Sequence, residues 1–247
     1  MPRALVRLAL AFLLSLLVLP ATAQPQRVDL ELVLAADGSG SIDEDELRLQ
    51  REGYAAAITS RRVLDAILEG PQRRIAVAMI EWGGAESQHV IVDWTIIDGL
   101  EAAQRFAAAL LAAPRKAYGF NSISNAIVAS TRMILGNHID SARKVIDVSA
   151  DGGQFGGVPL PEARALALNA GITINGLAIH RAGSGRPGGT RFGISLEEHF
   201  GRDIIGGNGA FVIVAETNRN FADAVARKLI LEIADQTPTG NSRHAAR

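Results

Sequence analysis

Apolar and polar positions alternate in blocks along this chain, and the first block differs from the rest. Leu8 to Leu19 is apolar except for Ser15, follows Arg3 and Arg7, and gives way to Pro20 and then Ala21-Thr22-Ala23. A short basic stretch, an apolar run and a small-x-small triplet predict a secretory signal peptide over residues 1–23, with the mature chain starting near Gln24. The run is 12 residues long, whereas a spanning helix needs about 20. The expectation is an exported protein, periplasmic or secreted, with no membrane span in the mature chain. One domain is predicted over residues 24–235, followed by a flexible polar tail over 236–247.

Within that domain the periodicity switches repeatedly between strand and helix. Asp29 to Ala36 (DLELVLAA), Arg74 to Glu81 (RIAVAMIE), Gln88 to Trp94 (QHVIVDW), Lys144 to Ser149 (KVIDVS), Ile172 to Ile179 (ITINGLAI) and Ala210 to Ala215 (AFVIVA) read as strands. Helices are predicted over Ser41–Leu68, Asp98–Ala112, Ser124–Leu135, Pro161–Ala170 and Asn218–Ala234. Ser41 would cap the first of these, and Gly70-Pro71 would end it. The last places Phe221, Val225, Leu229 and Ile233 at four-residue steps, a stripe suited to packing on a sheet. Only six residues, Trp82 to Ser87, join the second and third strands. That is too short for a crossover, so this pair should be antiparallel. The predicted fold class is α/β: a doubly wound, mostly parallel sheet of Rossmann type, one antiparallel edge strand, helices on both faces. Ligands of such sheets bind beyond the carboxyl ends of the strands, near the switch point.

Composition narrows the chemistry. The 247 residues carry 25 Lys plus Arg against 26 Asp plus Glu, so there is no basic excess and nucleic acid is not an expected partner. There is no cysteine, which excludes disulfides, thiol catalysis and zinc–thiolate or iron–sulfur sites. Aromatic residues are few, and none form a stacking stripe.

The residues after the strands carry the oxygen ligands. Asp37-Gly38-Ser39-Gly40-Ser41 follows the first strand and sets three oxygen side chains at alternate positions with glycines between. A carboxylate and two hydroxyls are hard donors that suit Mg²⁺, Mn²⁺ or Ca²⁺ and not copper or zinc. Asp151 follows KVIDVS, and Asn121-Ser122 precedes a helix, adding further oxygens. If the strands ending at Asp37 and Asp151 are neighbours, these three loops converge.

The three loops resemble the metal-ion-dependent adhesion site (MIDAS) of von Willebrand factor type A domains, which combines an Asp-x-Ser-x-Ser loop, a Thr in a second loop and an Asp in a third. Asp37, Ser39 and Ser41 match the first loop and Asp151 the third; Asn121, with Ser122 beside it, stands where the resemblance wants Thr. A narrower similarity, carried by Val28–Ile58, Val145–Gly152, Ile172–Leu177 and Ile204–Ile233, is to a bacterial family of exported type A-like proteins of uncharacterised function. The resemblance implies a divalent cation, Mg²⁺ first, and a protein partner that offers an exposed Asp or Glu to it. Phe155, Arg186 and Arg191 would then belong to the partner-binding rim. Two other readings compete: a metal-dependent hydrolase, for which His180 at a strand end is the candidate base, and a structural adaptor with a degenerate site. No Gly-x-Ser-x-Gly elbow, phosphate-binding Gly-Lys-Ser/Thr loop or His-x-x-x-His pair supports catalysis.

Overall fold

A computed structural model describes residues 26–180, 193–216 and 221–234. The expected signal peptide, the polar tail, Arg186 and Arg191 lie outside the described residues. The strands are β1 (Gln26–Val28), β2 (Glu31–Asp37), β3 (Ile75–Trp82), β4 (Gln88–Ile97), β5 (Ile139–Ser141), β6 (Lys144–Ala150), β7 (Thr173–His180) and β8 (Val212–Glu216). The helices are α1 (Glu44–Ile58), α2 (Arg61–Glu69), α3 (Leu100–Ala112), α4 (Ile123–Leu135), α5 (Leu160–Asn169), α6 (Leu196–His199, continued by a π turn to Ile204) and α7 (Phe221–Ile233).

Six strands form one sheet in the order β4-β3-β2-β6-β7-β8, parallel except for the β3–β4 pair. The strand is antiparallel, as its short connection requires, and it lies at an edge. β1 and β5 form a separate parallel ribbon that the periodicity does not predict, each being only three residues long. Every residue of β2 is buried, because helices cover both faces of the central strands. Leu32 and Leu34 pack with Tyr54, Ile58, Phe106 and Leu229 on one face, while Val33 and Ala35 pack with Trp82, Ile127 and Phe200 on the other. Phe221, Val225, Leu229 and Ile233 are all buried in the first of these cores.

The single helix expected over 41–68 is two. Ser60 caps the second by accepting the Val63 amide, and Thr59 returns its hydroxyl to Ala55 O at 2.7 Å, so the chain stops and restarts at this pair. Nor is Ser41 the cap of the first helix. Asp43 is, in a reciprocal capping box with Glu46. That leaves the Ser41 hydroxyl for another role.

Between β6 and α7 lies a buried polar cluster. Lys228 Nζ is 2.7 Å from Asp147 Oδ1 and 2.5 Å from Glu232 Oε1, and Asn175 Nδ2 donates to Glu232 Oε1 at 3.0 Å. One ammonium serves two carboxylates. Burial, against the pull of Lys228 and with the repulsion of Glu232, leaves the Asp147 carboxyl raised to about 7. The folded chain thus holds a proton here that the unfolded chain releases near its ordinary pKa of 3.8. This group's contribution to stability is complete below that value and is lost as pH rises through about 7. In urea titrations across pH 4 to 8, Asp147→Asn is expected to flatten the decline of stability with pH; an unchanged slope would count against a protonated Asp147.

Candidate functional site

All the parallel strands deliver their carboxyl ends to one pole of the sheet. Because β2 pairs with β6, the loops that follow Asp37 and Ala150 start side by side. Asp37 is fully buried. Its Oδ1 accepts from the Ser39 amide at 2.8 Å and its Oδ2 from the Asp151 amide at 3.3 Å. The Ser39 and Ser41 hydroxyls are 3.0 Å apart, and Ser41 Oγ donates to Asp151 Oδ1 at 3.1 Å. Asp37, Ser39, Ser41 and Asp151 therefore form one closed hydrogen-bonded ring. Freed from capping, Ser41 is the link that completes it.

Burial, and then the Asp151 carboxylate, push the Asp37 carboxyl up to about 7, opposed by the Ser39 hydroxyl and the Ser39 and Asp151 amides. Two carboxylates are held together with hydroxyl and amide groups. The donors are hard oxygens, and the carboxylate most deprived of water has another carboxylate beside it. This set fits a hard divalent cation, whose charge would offset both effects.

The second loop lies against the first and third. Gly40 N donates to Gly119 O at 2.8 Å, Ser122 N to Gly83 O at 2.7 Å, and Phe155 N to Asn121 O at 2.7 Å. Gly119 takes a left-handed conformation, φ +83°. Asn121 reaches over the third loop: a Cβ at Gly152 would stand 2.3 Å from Asn121 Nδ2. Ser122 is buried and directs its hydroxyl to Asn125 Oδ1 at 3.1 Å, beneath the loop. Of the two second-loop candidates, Asn121 lies against the turn that carries Asp151, while Ser122 supports the helix start. Phe155 is exposed beside Phe120, ring centroids 5.9 Å apart. His180 ends β7, with β6 between it and β2.

Several residues that shape the site are not among the sequence candidates. Arg115 Nη2 donates to the carbonyls of Gly38, Ser39 and Ile42 at 3.3, 3.1 and 2.8 Å, and its Nη1 meets Glu44 at 3.0 Å. One guanidinium thereby gathers the carbonyls of the first loop. Arg51 grips buried Glu81 with two bonds, at 2.7 and 2.9 Å, and also donates to Ala113 O and to Pro114 O, which places Arg115. His199, held by Asp203 at 2.8 Å, accepts the Gln154 amide at 3.3 Å and so steadies the third loop. A signal existed for the Arg51–Glu81 pair alone: Arg51 stands on the apolar stripe of α1 with Leu47, Tyr54 and Ile58, and Glu81 nearly ends an otherwise apolar strand.

Sheet order, the antiparallel edge pair and the loop cluster define a von Willebrand factor A-type fold, and solved structures agree. A von Willebrand factor type A protein from Catenulispora acidiphila superposes with a TM-score of 0.57 at 15% identity, covering 84% of this chain and 42% of that one. The pilus adhesin SpaC from Lactobacillus rhamnosus GG, in an open conformation, gives 0.57 at 16%, covering 86% and 30%. Proximal thread matrix protein 1 from the mussel byssus, with zinc in its MIDAS motif, gives 0.54 at 14%, covering 82% and 46%. This chain thus spans less than half of each of these proteins, and at these identities the likeness is one of fold. The chain belongs to the protein family of unknown function DUF1194, whose model matches residues 27–237. No curated protein matches it in sequence.

Removing one partner of a buried ion pair strands the other charge. Glu81→Ala is expected to destabilise the fold by about 3–5 kcal/mol, read as a lower urea midpoint. A loss under about 1 kcal/mol, the range of a surface pair, would mean that Arg51 does not depend on Glu81.

Proposed function

We propose that this protein is an exported, divalent-metal-binding interaction module, periplasmic or secreted, that engages a protein partner through an exposed Asp or Glu. The observation that carries the reading is the closed ring of Asp37, Ser39, Ser41 and Asp151 at the ends of two adjacent central strands. These four residues would hold the cation, with Asn121 as the second-loop donor through its amide oxygen. Mg²⁺ is the proposed ion, with Mn²⁺ and Ca²⁺ sharing its ligand preferences. The bound ion supplies an open position to which a partner carboxylate is drawn. The chain's own residues do the rest. Asp37, buried, would be held ionised by the bound cation in a place where water cannot screen the pair. Ser41 and Asp151, nearer the surface, face what arrives. Arg115 holds the first loop in shape through the carbonyls of Gly38, Ser39 and Ile42.

Binding is favoured over turnover by the role of His199, which is paired with Asp203 and uses its other ring nitrogen on the Gln154 amide, so both ring nitrogens serve the scaffold of the third loop. No group of three His, Cys, Asp or Glu side chains that could hold a metal ion occurs among the described residues, so the proposed ligand set rests on two carboxylates completed by hydroxyl and amide oxygens. No helix among them is long and apolar enough to cross a membrane.

The test is calorimetric titration of residues 24–247 with Mg²⁺, Mn²⁺ and Ca²⁺. Saturable binding of about one ion per chain is expected, lost in Asp37→Ala and in Asp151→Ala while both variants keep the circular-dichroism spectrum of the parent. Absence of binding up to millimolar metal, or binding that survives both substitutions, would overturn the reading. A smaller effect follows from the contact at Gly152: Gly152→Ala displaces the Asn121 amide and is expected to weaken Mg²⁺ about tenfold, the scale of lost support for a metal ligand. Unchanged affinity would remove Asn121 from the ligand set.

A further inference from the structure

Aromatic side chains are scarce in this chain, and of those among the described residues Tyr54, Trp82, Phe106, Phe200 and Phe221 are buried. Among the described residues three are exposed, Tyr118 at 59%, Phe120 at 71% and Phe155 at 52%, and all three stand on the second and third loops of the candidate site. The other large apolar side chains exposed to this degree are aliphatic. Phe120 directly precedes Asn121, and Phe155 follows Asp151 by four positions. Their rings meet edge to face at 5.9 Å, and the Phe155 amide is bonded to Asn121 O at 2.7 Å, so one backbone contact sets both the ring pair and the position of Asn121. Tyr118 turns instead toward the β3–β4 hairpin, with its hydroxyl 3.4 Å from Glu86 O. The result is a two-ring apolar shelf at the edge of a polar ring.

Single exposed apolar residues are ordinary, but paired phenylalanines beside a convergent polar site mark an interaction surface. Charge complementarity sets half of the occupant: a site built for a cation takes a carboxylate. The shelf sets the other half, since a ring pair gains by covering its faces with apolar surface and excludes water from the charged contact next to it. Resting on the proposed function, we propose that the partner is a protein segment in which an Asp or Glu is flanked, within one or two residues, by a large apolar side chain that seats on Phe120 and Phe155. The shelf sets specificity: acidic segments without the apolar neighbour bind weakly, because the contact to the ion stays wet.

The experiment is selection of a random dodecapeptide phage library on residues 24–247 in Mg²⁺, eluting with EDTA. Enriched peptides are expected to carry an acidic residue beside Leu, Ile, Met or an aromatic residue. Synthetic copies should bind Phe120→Ala and Phe155→Ala about tenfold more weakly than the parent, with Mg²⁺ affinity unchanged in both variants. Acidic peptides with no apolar neighbour, or peptides indifferent to both substitutions, would overturn the shelf and leave the metal-dependent reading standing. Peptides that resist EDTA, or none at all, would overturn both. Flotation with phosphatidylethanolamine–phosphatidylglycerol vesicles that depends on the two rings would assign the shelf to a membrane and overturn the protein partner.

Discussion

Everything at the candidate site depends on a carboxylate that is fully buried. Asp37 ends the central strand, where β3 and β6 flank it and helices cover both faces, so its charge must be met by the protein or by something the protein binds. The chain's own contribution consists of two amides, hydroxyls and a second carboxylate, which worsens the deficit. Such a grouping persists because the backbone around it is held elsewhere. The first loop is bonded to Trp82 O through Gly38 and to Gly119 O through Gly40, and Arg115 gathers its carbonyls.

That support is itself layered. Glu81 sits at the end of β3, Arg51 comes from α1, and the carbonyls that Arg51 reaches belong to the connection between α3 and the second loop. One buried ion pair thus spans a helix, a strand and a loop, and the residue after that loop's proline is Arg115. The chain of contacts runs from the core to the backbone carbonyls of the first loop, that of Ser39 included, without passing through the candidate ligand side chains. The two halves of the site, ligands and scaffold, can therefore be altered separately.

Much of this was legible in the sequence because it rests on local or strongly patterned signals. The mostly parallel sheet and its antiparallel edge strand followed from the alternation of strands and helices and from one six-residue connection. Oxygen residues placed directly after two apolar strands were plain in the sequence, but the convergence of their loops was conditional on those strands being neighbours, which the pairing of β2 with β6 supplies. What escaped has physical reasons. The break at Thr59–Ser60 lies inside a continuous amphipathic pattern, and only side-chain bonds back to the preceding turn reveal it. The β1–β5 ribbon is too short to show a period. Arg115 lies in a polar connection where an arginine looks like any solvated residue, and its value comes from carbonyls more than 70 positions away. Asn121 and Ser122, adjacent in sequence and equal as oxygen donors, are told apart only by the direction each side chain takes.

The ribbon and the last helix have a mechanical consequence. Val28 and Ala234 line one groove with Arg143, which bonds to the carbonyls at the end of α7. That groove lies at the amino ends of the strands, and the ring lies at their carboxyl ends. A tug between a ligand at the ring and an attachment near the groove would run along the strands. The ladders joining β2 to β3 and to β6 would then be loaded in shear, all their bonds sharing the force, instead of being peeled open one at a time.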